Sequence, residues 1–311
     1  MKLGTYGAWL NPVDDDATRV EYAIEAEALG YGTVWLGLGQ RDESELHLVE
    51  RVLEEARDVI VATAIVNMWT NDPTALAASF RRVRDRHPGP FLLGVGVGHP
   101  ESIAGFRSPY ERMASFLDAL DVGGVPDDRR VLAALGPQAL RLAADRAAGS
   151  HPYLTVPAHT REARRLLGSG PLLAPEQTVV VEPDPERARE RGRAFVRDPY
   201  LDRSNYVNNL LRHGYGETDV ADGGSDRLID DLVPHGSPET VAAGLRAHLA
   251  AGADHVAIQV LPATGEGPMP GLRALAREMG LPGTNPPVKL EDGRSLCDTG
   301  TAGTVRQSPP R

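Results

Sequence analysis

Three glycines and a histidine follow one another at regular spacing in the stretch FLLGVGVGHP, residues 91–100. Gly94, Gly96 and Gly98 alternate with apolar residues, and His99 comes directly after them. Glycine-rich loops often bind phosphate, but this spacing is G-x-G-x-G and differs from the dinucleotide-binding pattern G-x-G-x-x-G. The chain also lacks the G-x-x-x-x-G-K-[ST] pattern of a P-loop. The stretch is therefore more typical of a β-strand than of a phosphate loop.

The alternation gives this predicted strand two different faces. Phe91, Leu93 and Val95 lie on one face, whereas the glycines lie on the other. The interior of a β-barrel is normally filled by side chains, so a glycine face turned inward leaves space for a flat ligand. A second interpretation is that the glycines only accommodate a bulky neighbour such as Trp35.

Four polar residues are candidates for chemistry, because they lie near the carboxyl ends of predicted strands, where barrel enzymes place their active sites. They are Asn67, His99, His151 and Gln259. Histidine titrates near working pH, so we expect His99 or His151 to donate a proton. We expect Asn67 and Gln259 to orient a substrate or a ring by hydrogen bonds.

The elements that position these residues alternate between short β-rich runs and longer amphipathic runs. Strands are predicted near 2–9, 32–38, 59–66, 90–97, 130–135, 152–156, 171–182 and 255–261. Helices are predicted near 15–29, 44–57, 73–87, 109–121, 136–148 and 157–168, followed by a mostly helical stretch over 184–252. This order predicts an α/β fold, a (β/α)8 TIM barrel with a long helical insertion before the last strand.

Two helix starts carry clear signals. Asp72 or Asn71 is expected at the N-cap of the third helix, with Pro73 at its first position. Pro137 is expected at the first position of the fifth helix.

The period-two pattern also predicts which side chains fill the barrel. Inward-facing residues and their outward-facing neighbours separate cleanly in the second and eighth strands. Thr33, Trp35, Gly37, His255, Ala257 and Gln259 are predicted to face inward, and Val34, Leu36, Leu38, Val256, Ile258 and Val260 outward.

The chain is predicted to form one barrel domain over residues 1–282. Residues 183–236 are too long for an ordinary strand-to-helix connection, so they are expected to cover the barrel mouth or to form a subunit contact. Residues 283–311 are rich in Gly, Pro, Ser and Thr and are expected to be a disordered tail. The single cysteine, Cys297, lies in this tail and is not expected to be catalytic.

The composition argues against two classes of binding partner, nucleic acids and membranes. The chain has 33 Lys and Arg against 43 Asp and Glu, a net charge of −10, which argues against nucleic-acid binding. No apolar run approaches the roughly 20 residues that span a bilayer, so no membrane partner is expected. One cysteine fits a reducing compartment, and we expect a cytoplasmic protein that acts on a small molecule.

Other catalytic patterns are absent from the sequence. No H-x-H follows the first strand and the nine histidines are scattered, so no metal is expected. There is no G-x-S-x-G nucleophile elbow.

Several segments, in order, resemble the bacterial luciferase-like superfamily. VATAIVNMWTNDPTALAASFRRV followed by PFLLGVGVGHP is similar to its third and fourth strands. RVLAALGPQALRLAADRAAGSHPYLTVPAHTREARRLLG and LLAPEQTVVVEPDPERAR resemble its coenzyme F420-dependent branch, and YVNNLLRHGY, GGSDRLIDDLV and AGADHVAIQVL extend the match. The resemblance covers roughly residues 1–262.

This resemblance implies a barrel that binds coenzyme F420 or FMN with the ring at its carboxyl-terminal mouth. It implies a bulge in the third strand, over Ala64, Ile65 and Val66, with a non-proline cis peptide predicted at Ala64–Ile65. Asn67, Gly96, Gly98 and His99 would then border the ring. The resemblance also allows a homodimer.

The resemblance also implies that the cofactor phosphate binds near Gly136, Pro137 and Gln138. This agrees with the free N–H groups and the positive dipole end that a helix start offers. The alternative is that these residues only begin an ordinary helix.

The chain departs from its relatives at two places. Many carry a carboxylate after the second strand, where this chain has Gly37 and Leu38, and many carry a basic residue where it has Asn71. The leading hypothesis is an oxidoreductase that transfers a hydride between F420 and a small organic substrate. The alternatives are an FMN-dependent monooxygenase and a non-catalytic barrel that binds the cofactor.

Overall fold

A computed structural model describes residues 1–11, 14–39, 45–87, 89–98, 108–263 and 265–283. The expected tail from residue 284 onward, with Cys297, lies outside this part of the chain, as does His99. No helix within the described ranges has the length and apolar character needed to cross a membrane.

All strands pair in parallel and form one curved sheet. The strands are β1 Tyr6–Leu10, β2 Thr33–Leu36, β3 Ile60–Thr63, β4 Val66–Asn67, β5 Phe91–Gly96, β6 Arg130–Leu132, β7 Gly149–Ser150, β8 Leu172–Leu173, β9 Glu176–Val181, β10 His235–Gly236 and β11 Val256–Val260. β3 with β4 forms one interrupted barrel strand, and β8 with β9 forms another. Because β8 pairs with β7 and β9 pairs with β11, residues 172–181 close the barrel.

Helices connect the strands and surround the barrel. They are α1 Asp16–Ala28, α2 His47–Glu55, α3 Pro73–Arg86, α4 Pro109–Val122, α5 Pro137–Arg146, α6 Pro157–Leu167, α7 Pro185–Arg197, α8 Ser204–Arg212, α9 Glu217–Val220, α10 Asp226–Leu232, α11 Pro238–Ala250 and α12 Met269–Glu278. The predicted TIM-barrel fold is confirmed. The predicted helical insertion consists of α7 to α11 with the short β10 among them.

The predicted helix starts are confirmed. Asp72 is the N-cap of α3, and its carboxylate accepts a hydrogen bond from the Ala75 N–H at 2.8 Å. Pro73 and Pro137 occupy the first positions of α3 and α5. Proline suits this position because its missing N–H would have no partner inside the helix.

The predicted sixth strand over 152–156 is wrong, because the strand is Gly149–Ser150 and 152–156 is a loop. Leu154 has a φ of +52°, a left-handed conformation that a strand cannot contain. Its N–H donates to the Glu176 carboxylate instead of to a neighbouring strand. The segment YLTV, residues 153–156, therefore forms a buried loop.

Apolar side chains separate into an outer core and a lumen core, as the alternating pattern predicts. Val34, Leu93 and Ile258 pack in the outer core between the sheet and the helices. Trp35 and Ala257 pack in the lumen core. A third cluster joins α7, α8 and α10 of the insertion to loop residues of the barrel, so the insertion covers the mouth.

The floor of the lumen is held by aromatic and imidazole rings. The Trp35 indole N–H donates to His255 Nε2 at 3.0 Å, and His255 Nδ1–H donates to the Gly4 carbonyl at 2.8 Å. Burial lowers the pKa of His255 to about 4, so this histidine is neutral and fully bonded. It is a structural group.

The glycines of β5 make room for atoms of the neighbouring chain segments on either side. A Cβ at Gly94 would lie 1.9 Å from the Thr63 carbonyl oxygen, and a Cβ at Gly96 would lie 2.9 Å from the Ala133 Cβ and 3.3 Å from the Ile65 Cδ1. The Thr63 hydroxyl accepts from the Gly94 N–H at 2.8 Å and donates to the Gly94 carbonyl at 2.9 Å. These two glycines therefore accommodate the bulged third strand, and neither makes room for Trp35.

We expect Gly94→Ala to lower the free energy of unfolding by about 3 kcal/mol, because a backbone oxygen occupies the space that the new methyl group needs. Urea unfolding followed by circular dichroism measures this change. Gly170→Ala is the matched control, since no atom lies within 4 Å of a Cβ there, and it should change stability by less than about 0.5 kcal/mol. Equal stabilities for the two variants would contradict the packing described above.

Candidate active site

A cavity of about 470 Å³ opens at the carboxyl ends of the barrel strands. Its walls come from the third-strand bulge, from the loops after β1, β5, β6 and β7, and from the insertion. The lining residues are Trp9, Asn11, Gly39, Ala64, Ile65, Asn67, Val97, Gly98, Pro109, Met113, Ala133, Ala134, Leu135, Gly136, Ala139, His151, Tyr153, Phe195, Pro199, Tyr200, Arg203, Asn205, Tyr206 and Gln259. The volume is ordinary for a cofactor or small-ligand site.

The bulge of the third strand forms one wall of this cavity. The Ala64–Ile65 peptide is cis, as predicted. Asn67 follows the bulge, and its Oδ1 accepts from the Trp69 N–H at 2.9 Å. The Asn71 amide donates to the Asn67 carbonyl at 2.9 Å, so Asn71 fixes the loop after β4. The cavity wall is thus held by short local hydrogen bonds.

Most of the site residues predicted from the sequence line the cavity. They are Ala64, Ile65, Asn67, Gly98, Gly136, His151 and Gln259. Gly98 has a φ of +60°, and a Cβ there would lie 2.8 Å from the Asn67 amide nitrogen, so only glycine fits beside Asn67.

Other predicted site residues lie elsewhere. Val66 packs in the outer core, and Gly96 is enclosed by Ala133 and Ile65. Pro137 and Gln138 begin α5 behind Gly136 and do not line the cavity. His99 is outside the described residues, and its role stays a prediction.

His151 lines the cavity as a neutral imidazole. Its Nδ1–H donates to the Ala174 carbonyl at 2.7 Å, and its ring stacks on Trp35 with centroids 4.0 Å apart. Burial, with a smaller contribution from His255, lowers the pKa of His151 to about 3. With Nδ1–H engaged, Nε2 carries no proton, so this arrangement argues against His151 as the proton donor.

Two tyrosines and a glutamine form a hydrogen-bonded line across the cavity wall. The Tyr200 hydroxyl donates to the Tyr153 hydroxyl at 3.1 Å, which donates to Gln259 Oε1 at 2.9 Å. Burial raises the pKa of Tyr200 to about 12 and that of Tyr153 well above its usual range. Both phenols therefore keep their protons at working pH and can donate them.

A buried carboxyl group lies behind this line. Glu176 accepts from the Leu154 N–H at 3.0 Å and from the Thr178 hydroxyl at 2.6 Å. Burial raises the pKa of Glu176 to about 7, which the two hydrogen bonds partly oppose. When it ionises, its negative charge opposes ionisation of Tyr153 and Tyr200.

Trp9 fills the space next to Gly37. A Cβ at Gly37 would lie 2.5 Å from the Trp9 Cη2, and the Trp9 ring also packs against Tyr153 with centroids 5.6 Å apart. The space that a side chain at residue 37 would need is therefore occupied by an indole ring.

Sequence reasoning missed several lining residues with polar side-chain atoms, among them Tyr153, Tyr200, Arg203 and Asn205. Tyr153 could have been found, because a loop after a short barrel strand points to the mouth. The other three lie in the insertion, where the sequence carries no signal of which residues turn toward the cavity.

The family assignment follows from comparison of the whole chain. The model of the luciferase-like monooxygenase family matches residues 2–122 and 125–255. The chain belongs to this family and is an oxidoreductase. A search of curated proteins found no match.

Solved structures share the fold at low sequence identity. The chain is similar to an F420-dependent secondary alcohol dehydrogenase in complex with an F420–acetone adduct (TM-score 0.70, 16% identity, 90% of this chain and 99% of that chain). It is similar to a coenzyme F420-dependent tetrahydromethanopterin reductase from Methanopyrus kandleri (TM-score 0.65, 14% identity, 91% and 98%). It is also similar to the oxygenating constituent of 3,6-diketocamphane monooxygenase from Pseudomonas putida, in complex with FMN (TM-score 0.64, 16% identity, 92% and 99%).

We expect His151→Gln to leave the shape of the pH–rate profile unchanged between about pH 5 and pH 9, because a group with a pKa of about 3 does not titrate there. Steady-state rates across this range measure the effect. An inflection near pH 7 should persist in this variant and vanish in Glu176→Gln, because Glu176 is the buried group with a pKa of about 7. Loss of the inflection in His151→Gln alone would assign the titration to the histidine.

Proposed function

We propose that the protein transfers a hydride between coenzyme F420 and a small organic substrate. The observation that carries this proposal is a cavity with an apolar wall at the third-strand bulge and a line of neutral hydroxyl donors beside it. Two structural neighbours are named as F420-dependent enzymes, which supports this proposal, and another is named as a complex with FMN, which motivates the FMN alternative.

The lining residues fit a deazaflavin ring. Ala64 and Ile65 offer an apolar surface for one ring face, and Gly98 leaves the space beside Asn67 free of a side chain. Gly136 caps α5 without a side-chain hydrogen bond, so the first N–H groups of this helix can bind the cofactor phosphate. When bound, F420 supplies a ring carbon that accepts or gives a hydride.

Tyr153 is placed to handle the proton that accompanies the hydride. Its hydroxyl proton lies between Tyr153 Oη and Gln259 Oε1. When a substrate carbonyl is reduced, the oxygen becomes an alkoxide, which is a stronger base than a phenolate. Tyr153 can give its proton to that oxygen, and the Tyr200 hydroxyl can then give its own proton to Tyr153.

Gln259 and Asn67 orient the reacting groups. Gln259 uses Oε1 for Tyr153, which leaves its amide N–H groups for a ligand oxygen. Asn67 uses Oδ1 for the Trp69 N–H, so its amide nitrogen is the atom next to Gly98 and would be the one to contact a bound ring. His99 is the next residue in the chain after Gly98 and remains a second candidate for proton transfer.

We expect oxidised F420 to bind at least about 10-fold more tightly than FMN, a difference in binding free energy of about 1.4 kcal/mol. Binding is measured by titration, from the saturable quenching of the cofactor's fluorescence or of the protein's tryptophan fluorescence. Ile65→Ala should weaken ring binding by about 10-fold, because it removes apolar surface from the wall. Val122→Ala is the matched control, since Val122 is 91% exposed.

The same titration separates the alternatives. Tighter binding of FMN, with turnover that depends on oxygen, would replace the proposal by an FMN-dependent monooxygenase. Tight F420 binding without turnover of any alcohol or carbonyl compound would indicate a cofactor-binding barrel.

We expect Tyr153→Phe to lower kcat by about 100-fold, because it removes the proton donor while keeping the ring shape. The dissociation constant for the cofactor should stay within about two-fold. Tyr110→Phe is the matched control, since Tyr110 is 44% exposed on α4. If His99→Gln abolishes turnover while Tyr153→Phe does not, His99 is the donor.

A further inference from the structure

Arg203 brings a positive charge to an otherwise uncharged cavity. It lies between a short 3-10 turn and α8 of the insertion, and it is the one charged residue among the described residues that line the cavity. His151, the other titratable nitrogen base there, is neutral. Within the described part of the chain, therefore, no carboxylate in the cavity wall balances this cation.

Several other arginines of the insertion form ion pairs. Their partners are nearby carboxylates, as in the pairs Arg187–Glu182, Arg189–Asp230, Arg193–Asp226 and Arg227–Asp219. Arg203 forms no ion pair with the described residues, and its Nε is buried without a hydrogen-bond partner. In a chain with a net charge of −10, an unpaired arginine at a cavity points to a ligand that supplies the anion.

Asn205 adds a second unsatisfied atom two residues further on. Its Oδ1 is buried without a partner, and the side chain lines the same cavity. A buried carbonyl oxygen requires a hydrogen-bond donor. A ligand that satisfies both residues has an anionic oxygen for Arg203 and an adjacent O–H or N–H for Asn205.

We propose that Arg203 and Asn205 form an anion subsite for a ligand segment that carries a carboxylate or phosphate next to a hydrogen-bond donor. This proposal rests on the proposed function only in assigning the segment to the substrate or to the cofactor tail. The guanidinium group can bind two anionic oxygens side by side, which favours these groups over a single halide ion.

Small aromatic acids test the subsite on the protein without added cofactor. Dissociation constants are measured by titration calorimetry and by tryptophan emission. Comparing phenylacetate with its neutral analogue phenylacetamide tests the negative charge, and comparing mandelate with phenylacetate tests the added hydroxyl group. We expect phenylacetate to bind about 10-fold more tightly than phenylacetamide, and mandelate a further 3- to 5-fold more tightly. Arg203→Gln should remove the first difference, Arg203→Lys should keep part of it, and Asn205→Ala should remove the second.

Arg212→Gln is the control, because Arg212 lies on the exposed side of the same helix and does not line the cavity. It should leave every dissociation constant unchanged. Thermal unfolding of each variant checks that the fold is kept.

Comparing the cofactors with their phosphate-free analogues identifies whether the anion comes from the cofactor or from the substrate. If Arg203→Gln weakens binding of F420 and FMN by about 10- to 100-fold but spares riboflavin and the phosphate-free deazaflavin, the anion is the cofactor phosphate. If the variant spares all four rings but abolishes phenylacetate binding to the ring-loaded protein, the anion belongs to the substrate.

If Arg203→Gln changes neither the small-acid preference nor any ring affinity, the anion subsite is refuted. If no ring binds the wild-type protein, the proposed function fails, and the small-acid titration still decides the subsite by itself.

Discussion

The close approach of β3 to β5 at residue 94 determines where the rest of the site lies. The Thr63 hydroxyl both accepts from and donates to the backbone of Gly94, and the Thr63 carbonyl oxygen occupies the space of a side chain. The chain then passes through the bulge at Ala64–Ile65, where Ile65 packs against Gly96 and lines the cavity. Asn67 reaches the cavity because this bulge interrupts the strand.

One physical cause sets the protonation of the whole cavity. Burial disfavours charge, so it raises the pKa values of Tyr153 and Tyr200 and lowers that of His151. The result is a wall of neutral groups that can hold protons without carrying charge. Arg203, which carries a guanidinium group, is the exception among the described lining residues.

The barrel itself could be predicted from the sequence, because burial imposes a period of two on each strand. This rule correctly separated Val34 and Ile258 from Trp35 and Ala257. It failed over 152–156, where apolar residues fill a loop and Leu154 adopts a left-handed conformation. The pattern reports which residues are buried, and a buried loop satisfies it as well as a strand does.

The site could be predicted only where it is built from strands. Asn67 and Gln259 lie at strand ends, so their position follows from the fold. Tyr200 forms a hydrogen bond with Tyr153, which is 47 residues earlier in the chain. Tyr200 lies in the insertion, and no local sequence pattern predicts how the insertion folds over the barrel. The glycines of β5 were recognised as unusual, but the atoms that fill their space belong to Thr63, Ile65 and Ala133 on other segments of the chain. The pattern of a single strand does not reveal such contacts.

The contact between Trp9 and Gly37 has an evolutionary consequence. The Trp9 Cη2 lies 2.5 Å from where a Cβ at residue 37 would be, so a carboxylate side chain at residue 37 and an indole at residue 9 exclude each other. A side chain at residue 37 therefore requires a smaller residue at position 9, and either substitution alone creates a clash or a void. The two residues are therefore expected to co-vary among relatives as an epistatic pair.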